Sequence, residues 1–431
     1  MPNAFSKEEI VAFENILEGF QDALVLSRNV SIYATDGATM ERARDTIWRP
    51  MPYIAQSFDS TVGTSISSNY DDMTQLSVPS TLGFSKTSAW KLNAKEMRDA
   101  LQEGRLGDAA KQKLASDINR SVLTVAANQG TLVVAVAGAA GDYDDVALCD
   151  AIMNEQGVPD YDRYLALSTR DYNGLAGNLS TSTRSFGNAK SDRAYERSYV
   201  GMVAGFETYK LDYAQRQAAA TVTAITVATN GANVQFVPRA TTTATAGVLN
   251  VDNRYQVISF SAVTNVRPGD MFTVAGLEAV HAITKQSTGQ LKTFRVIDTP
   301  TSDPNLTGTQ LRISPPMIGA NQASPTDAEL QYKNINVAST SATATVNFLN
   351  DNACNVNPFW FKNSIELLPG RYAVPTDSGA AVMRASTDQG IELVMQKFYD
   401  IDTMTIKYRL DTLYGVVCTA PEMAGVLIFG Q

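Results

Sequence analysis

The chain has 431 residues, more than one hydrophobic core ordinarily fills, so two or three subdomains are expected. Its formal net charge is −9, and Lys and Arg are scattered with no polybasic run longer than a pair, which excludes the concentrated positive face of a nucleic-acid reader and suits a container better. Cys149, Cys354 and Cys418 are odd in number and far apart, which excludes a disulfide framework or a CxxC metal site and predicts reduced structural thiols.

Met1 to Glu9 lacks a basic segment followed by an apolar one, and runs such as Thr131 to Ala140 are far shorter than the ~18 residues of a spanning helix. Neither a signal peptide nor membrane insertion is expected. Ser6 with Glu9 forms a capping-box pattern, and Ile10, Phe13, Leu17, Phe20 and Leu24 recur on one side of the helix that follows. Glu14, Glu18 and Asp22 form an acidic stripe at helical spacing on the same element. From Ser27 to Pro50 the periodicity fades, as in an arm that crosses a surface, which gives a helix and arm over 1–53. Two roughly alternating, Ser- and Thr-rich runs flank Asn69-Tyr70-Asp71-Asp72 and predict a long two-stranded hairpin over 54–92. A polar ribbon of this kind is marginal alone in water, so a neighbouring subunit is expected to support it.

Asp108 is expected to cap a helix about 30 Å long in which Leu114, Ile118, Val122 and Val125 share a face and Gly130 closes the end, within a segment 93–130. The apolar run from Thr131, a helix from Asp145 to Gln156 closed by Gly157, and a strand around Tyr164 to Leu167 predict a mixed domain over 131–221. Near Ala220 the composition turns to Thr, Val and Ala. Short strands such as Gln256 to Ala262 and Met271 to Ala275, parted by the Pro268-Gly269-Asp270 turn, predict an all-β module over 222–350. After Pro358-Phe359-Trp360 the segments Ile391 to Phe398, Thr403 to Asp411 and Tyr414 to Thr419 read as strands that complete a sheet over 351–431. The β module is therefore an insertion.

Five motifs follow one another along this order: Thr46-Ile47-Trp48-Arg49-Pro50, Val203-Ala204-Gly205-Phe206-Glu207, Val251-Asp252-Asn253-Arg254-Tyr255, Arg267-Pro268-Gly269-Asp270 and Asn357-Pro358-Phe359-Trp360. In sequence and spacing they resemble the coat proteins of short-tailed bacteriophages of the P-twenty-two type. The resemblance implies an α+β fold of the Hong Kong 97 type. In it 1–53 is the N-terminal helix and arm, 54–92 the extended loop and 93–130 the peripheral domain with its spine helix. The axial domain would be 131–221, the inserted β-barrel-like domain 222–350, and the returning strands of both main domains 351–431. It further implies a major capsid protein that assembles with itself into hexamers and pentamers of an icosahedral shell. That shell would enclose double-stranded DNA without sequence-specific binding. Scaffolding and portal proteins would be its partners, the host cytoplasm the place of assembly and the virion its destination, with no membrane involved. Scaffolding protein binds the N-terminal helix in such proteins, which makes Glu14, Glu18 and Asp22 the candidate contact here. The family's inserted domain carries a charged loop that meets its counterpart across a two-fold axis. The matching stretch, Pro238 to Asn250, has only Arg239 charged, so that contact differs here or is absent.

Chemistry of other kinds finds little support. His281 is the chain's one histidine and has no evident partner for a Ser-His-Asp or Cys-His arrangement. Asp142, Asp144 and Asp145 precede a helix that needs a cap and lack the ligand spacing of a calcium loop. No GxSxG, Walker loop or GxGxxG occurs, and no catalytic residue, cofactor or metal is expected. Trp48, Trp90, Phe359 and Trp360 are not interleaved with basic residues and are read as packing or subunit contacts. Two alternatives stand beside the capsid reading. One is an encapsulin-like bacterial compartment shell of the same fold. The other is a β-rich binding or enzymatic protein, for which a convergent polar pocket and a persistent monomer are expected.

Overall fold

The computed structural model describes residues 5, 7–33, 46–52, 62–63, 65, 67, 70, 73–93, 96, 100–181, 189–221, 225–228, 235–244, 247–321, 323–338, 343–374 and 379–430. The chain divides into two compact units: Met1–Ile47, Pro79–Val125 and Ile365–Val417 form one, and Trp48–Val78, Ala126–Ser364 and Cys418–Gln431 the other.

The first unit opens with the amphipathic helix α1, Lys7–Ala23. Its buried face is Phe13, Ile16, Phe20 and Leu24, whereas Ile10 is exposed and Leu17 half-buried, so the seam lies slightly around the cylinder from the predicted one. The long helix α2, Ala100–Gln129, sets that seam. At Gly107 an added Cβ would lie 2.7 Å from Ile16 Cδ1, so the missing side chain lets the two helices approach. Further along, Asn119 Nδ2 donates to the Ala23 carbonyl at 3.0 Å. Helix α2 starts eight residues before the expected cap. Asp108 lies inside it and pairs with Lys111 at 2.8 Å. Gly107 is a packing residue inside the helix, which is about 45 Å long rather than 30 Å. The predicted face of Leu114, Ile118, Val122 and Val125 is buried.

The sheet of this unit runs Ser31–Ile32, Ile365–Pro369, Thr405–Cys418, Glu392–Asp400, Ala381–Ser386, with Phe84–Asn93 also on Thr405–Cys418. The pairing of Phe84–Asn93 is antiparallel and continuous, from Phe84 opposite Tyr414 to Asn93 opposite Thr405. Strand Ser77–Thr81 pairs with Thr46–Pro50. The second arm of the expected hairpin is thus strand, but its described partners are these segments. Residues 54–61, in the first strand of that hairpin, lie outside the described residues.

The second unit contains a mixed sheet in the order Leu132–Val136, Ala424–Phe429, Cys354–Phe361, Arg163–Ser168, Phe206–Leu211, Met202–Val203. Cys354–Phe361 and Arg163–Ser168 are central and almost wholly buried, as expected of strands covered on both faces. Helix α3, Tyr143–Glu155, packs its Val146, Cys149 and Met153 into the core with Leu165, Phe206 and Phe359. Asp145 Oδ2 accepts the backbone N–H groups of Gly141 and Asp142 at 3.1 and 3.2 Å, so the aspartate cluster closes a capping box. Gly157 ends the helix at φ +75°, a conformation glycine adopts without strain.

Between Ala220 and Asn350 the described residues form an antiparallel sheet of seven strands in the same unit, ordered Thr226–Ala228, Thr343–Phe348, Met271–Val280, Ser287–Asp298, Gln310–Ser314, Gln256–Ser259, with Ile335–Val337 alongside Met271–Val280. Val227 bridges Phe260, which joins the first strand to the end of the last and curls the sheet toward a barrel. Phe260, Phe272 and Phe294 fill its core, the last two stacked 5.6 Å apart. A separate uncharged ribbon, Thr241–Ala244 with Gly247–Asn250, pairs only with itself among the described strands. No helix among the described residues is long and apolar enough to cross a membrane.

Candidate assembly surface and insertion clasp

Helix α1 presents Glu14, Glu18 and Asp22 to solvent, on the side away from Phe13, Ile16 and Phe20. The structure keeps the three carboxylates together as an exposed stripe. The helix carrying them is fastened within its unit at both ends. Glu9 Oε1 accepts from Tyr408 Oη at 2.9 Å and pairs with Lys397, and Ser27 Oγ donates to Gln389 Oε1 at 2.7 Å. A fastened helix with a bare acidic face offers a preformed surface to a basic partner.

The second set of functional groups, which sequence reasoning missed, holds the β insertion to the rest of its unit. Strand Ser287–Asp298 sends three polar side chains, Lys292, Thr293 and Arg295, outward to the rest of the unit. Lys292 Nζ meets Glu422 Oε1 at 2.8 Å and Gln156 Oε1 at 2.9 Å, Thr293 Oγ1 donates to the Thr131 carbonyl at 2.8 Å, and Arg295 Nη1 donates to the Gly130 carbonyl at 3.2 Å. Gly130 follows the last residue of α2, so a cation sits where the helix dipole favours one. Arg295 is fully buried and burial lowers its pKa to about 10, so it stays charged at neutral pH. Its Nε and Nη2 have no hydrogen-bond partner among the described residues, so the clasp includes a costly, half-satisfied guanidinium. Glu422 is raised by burial, but the Lys292 ammonium and the bonds from Lys292 and Asn334 hold its carboxyl below the usual range.

Two further groups complete the clasp. Arg254 is gripped by the Asp252 carboxylate and passes Nη1 to the Cys418 carbonyl at 2.8 Å. Asp270, fully buried, accepts from Gln217 Nε2 at 2.9 Å, Asn350 Nδ2 at 3.0 Å and the Arg267 N–H at 2.8 Å. Gln217 lies just before the insertion and Asn350 at its exit, and Ala220 N donates to Asn350 O at 2.8 Å. One carboxylate therefore ties the entry and exit strands together.

The remaining sequence candidates have local roles. His281 Nδ1 accepts the N–H groups of Ile283 and Thr284, both at 3.2 Å, and closes a turn. All three cysteines are buried and unpaired, and burial pushes each thiol up, Cys354 to about 11 and Cys418 to about 12. An aromatic disulfide reagent at pH 8 is expected to label none of them in the native protein and all of them in denaturant. Rapid native labelling would contradict that burial. Among the described residues no His, Cys, Asp and Glu group is placed to hold a metal ion.

With the whole-chain family match, these features define the class, a Hong Kong 97-type fold in which a β domain is inserted and clasped. The family model described as "P22 coat protein - gene protein 5" matches residues 1–430, and the chain belongs to that family of bacteriophage shell proteins. Among solved structures it is similar to that of Mycobacterium phage Che8, at 11% identity over 94% of this chain and 90% of that one, with a TM-score of 0.44. It is also similar to the capsid of cyanophage P-SCSP1u, at 9% identity over 94% and 88%, with a TM-score of 0.45. The CUS-3 coat protein I-domain is 30% identical over 30% of this chain and 98% of its own length, with a TM-score of 0.22.

Proposed function

We propose that this coat protein assembles with itself into hexamers and pentamers of an icosahedral shell that encloses double-stranded phage DNA. The family match across 1–430 is the observation that carries the reading. The net charge of −9 supports a wall that does not adhere to the DNA it surrounds. Cyclic head-to-tail contacts between identical subunits close such a shell without any bond-forming chemistry. The protein's work is therefore structural and needs no enzymatic site or cofactor. Within the chain we assign 1–53 to the arm, 54–92 to the extended loop, 93–130 to the peripheral domain, 131–221 to the axial domain, 222–350 to the insertion and 351–431 to the returning strands.

Assembly takes place in the bacterial cytoplasm on an internal scaffolding protein, with a portal protein at one vertex, and the finished shell belongs to the virion. The stripe of Glu14, Glu18 and Asp22 is the proposed scaffold contact, and its exposure on a fastened helix supports that role. Reversal of all three charges to Lys should abolish scaffold-dependent particle formation in co-expression followed by sucrose-gradient sedimentation, while the circular dichroism spectrum stays unchanged. Unaltered particle yield would remove the stripe from the contact. An encapsulin-like shell, in contrast, would form from the unsubstituted chain with no scaffold present.

A further inference from the structure

In the second unit a half-enclosed cavity of about 90 Å³ lies where the insertion meets the end of α3 and the turn carrying Glu422. That volume is roughly three times the ~30 Å³ share of one water in the liquid. Its walls are mixed. Met51, Val280, Ala282 and Met423 give an apolar side, and the polar side includes Lys285, Lys333, Gln156, Asn334 and the carboxylate of Glu422.

The polar side has a surplus of donors. Lys285 Nζ makes one long bond, 3.3 Å to the Lys333 carbonyl, which leaves further N–H groups to offer. Gln156 has its amide oxygen occupied by Lys292, so its remaining capacity is donation. Asn334 accepts from the Ile318 N–H through Oδ1 and donates through Nδ2 to Glu422 and the Pro316 carbonyl. Glu422 Oε1 is already shared between Lys292 and Asn334. Burial lowers the pKa of Lys285, and Lys292 and Lys333 lower it further, against Glu422 alone among the charges that raise it. Lys285 and Lys333 thus line one cavity with Glu422, whose carboxylate is already paired with Lys292, so cationic side chains outnumber the carboxylate that faces them.

We propose that this cavity binds one compact oxyanion, of the size and charge of inorganic phosphate, between Lys285, Lys333 and Gln156. The anion balances the surplus charge, accepts the spare N–H groups, and joins the insertion to the end of α3. A free phosphate ion and a terminal phosphate on a nucleic acid share this chemistry. The site does not depend on the shell reading, because all its residues lie within one unit of one subunit.

The test uses the full-length chain and inorganic phosphate, with chloride at matched ionic strength as reference. Calorimetric titration is expected to give one saturable site per chain. Phosphate at 100-fold over its Kd is expected to raise the unfolding temperature by roughly 5 °C. K285M/K333M should lose both the heat and the shift, whereas K113M, on an exposed face of α2, keeps them. The absence of saturable heat with the unsubstituted protein would overturn the proposal without reference to any variant. An equal thermal shift in K285M/K333M would overturn it as well, because it marks the general salting-out effect of phosphate. A 5′-phosphorylated dinucleotide that displaces phosphate supports the site with nucleic acid as the source, and failure to displace supports it with the free ion as the source.

Discussion

Replacing Asp270 by alanine is expected to lower the stability of the protein by about 3 kcal/mol, read as a fall in the urea midpoint of the full chain. The carboxylate is fully buried and accepts three hydrogen bonds, two from side chains that flank the insertion at Gln217 and Asn350. Alanine leaves those donors in a space that water does not readily reach, and each orphaned donor costs about 1–3 kcal/mol. Asparagine is informative because its amide oxygen can still serve Gln217 and Asn350, which share Oδ1. Its amide nitrogen then faces the Arg267 N–H, donor against donor. D270N should therefore fall between the native protein and D270A. Equal stability of all three would show that the insertion is held mainly by its apolar packing, and the clasp would lose its place in the account.

The second large effect is expected at Gly425. A Cβ there would lie 2.4 Å from the Leu132 carbonyl oxygen, 2.4 Å from Phe359 Cζ and 2.6 Å from Leu132 Cβ. Backbone and a buried ring crowd the position, and neither is the flexible end of a side chain. Ala424–Phe429 runs between Leu132–Val136 and Cys354–Phe361, so relief would have to part strands inside the mixed sheet. G425A should cost at least about 3 kcal/mol, at the upper end of overpacking effects, and G425V should fail to accumulate as soluble protein. Gly177 provides the contrast. It lies in the helix Thr169–Thr181 with nothing within 4 Å of an added Cβ, so G177A should be neutral or stabilising by up to about 1 kcal/mol. The pair separates glycine as a spacer from glycine as a tolerated helix residue, and similar thermal shifts in both would contradict the reading.

Much of the architecture is legible before any coordinates, because it rests on patterns that local physics enforces. The face of Leu114, Ile118, Val122 and Val125, the capping aspartates before α3 and the closure at Gly157 all follow from helix periodicity and end chemistry. Where the reading slipped, tertiary contact had overridden a local rule. Asp108 reads as a cap, yet it lies inside α2, where the bare Cα of Gly107 is what Ile16 packs against. The Ser- and Thr-rich alternation of the predicted hairpin identifies strand in Ser77–Thr81 and Phe84–Asn93. It cannot say that they pair with Thr46–Pro50 and Thr405–Cys418, since a strand's partner is a property of the whole fold.

The clasp was less legible than the core. Lys292 and Arg295 interrupt an otherwise strand-like run, and charged residues in a strand ordinarily face water, so their burial reads from sequence as exposure. Arg267-Pro268-Gly269-Asp270 reads correctly as a turn, but turns belong to the surface, and nothing in the four residues reveals that Asp270 is inaccessible. The motifs that carried the family resemblance gain physical meaning here. Arg254 is the guanidinium between Asp252 and the Cys418 carbonyl. Asn357 accepts the Ser168 N–H at 2.7 Å and donates to Asp171 at 2.9 Å inside the central sheet. The acidic stripe of α1 was visible in the sequence because surface charge at helical spacing depends on the element alone.

The most direct test of the central claim is a cryo-electron microscopy reconstruction of the particles formed when this chain is co-expressed with a candidate scaffolding protein. The account predicts closed icosahedral shells with pentamers at the five-fold axes and hexamers elsewhere, each subunit showing α2 as a long rod and residues 225–348 as a distinct β domain. A chain that sediments as a monomer under every condition, with no closed particles to reconstruct, would contradict it.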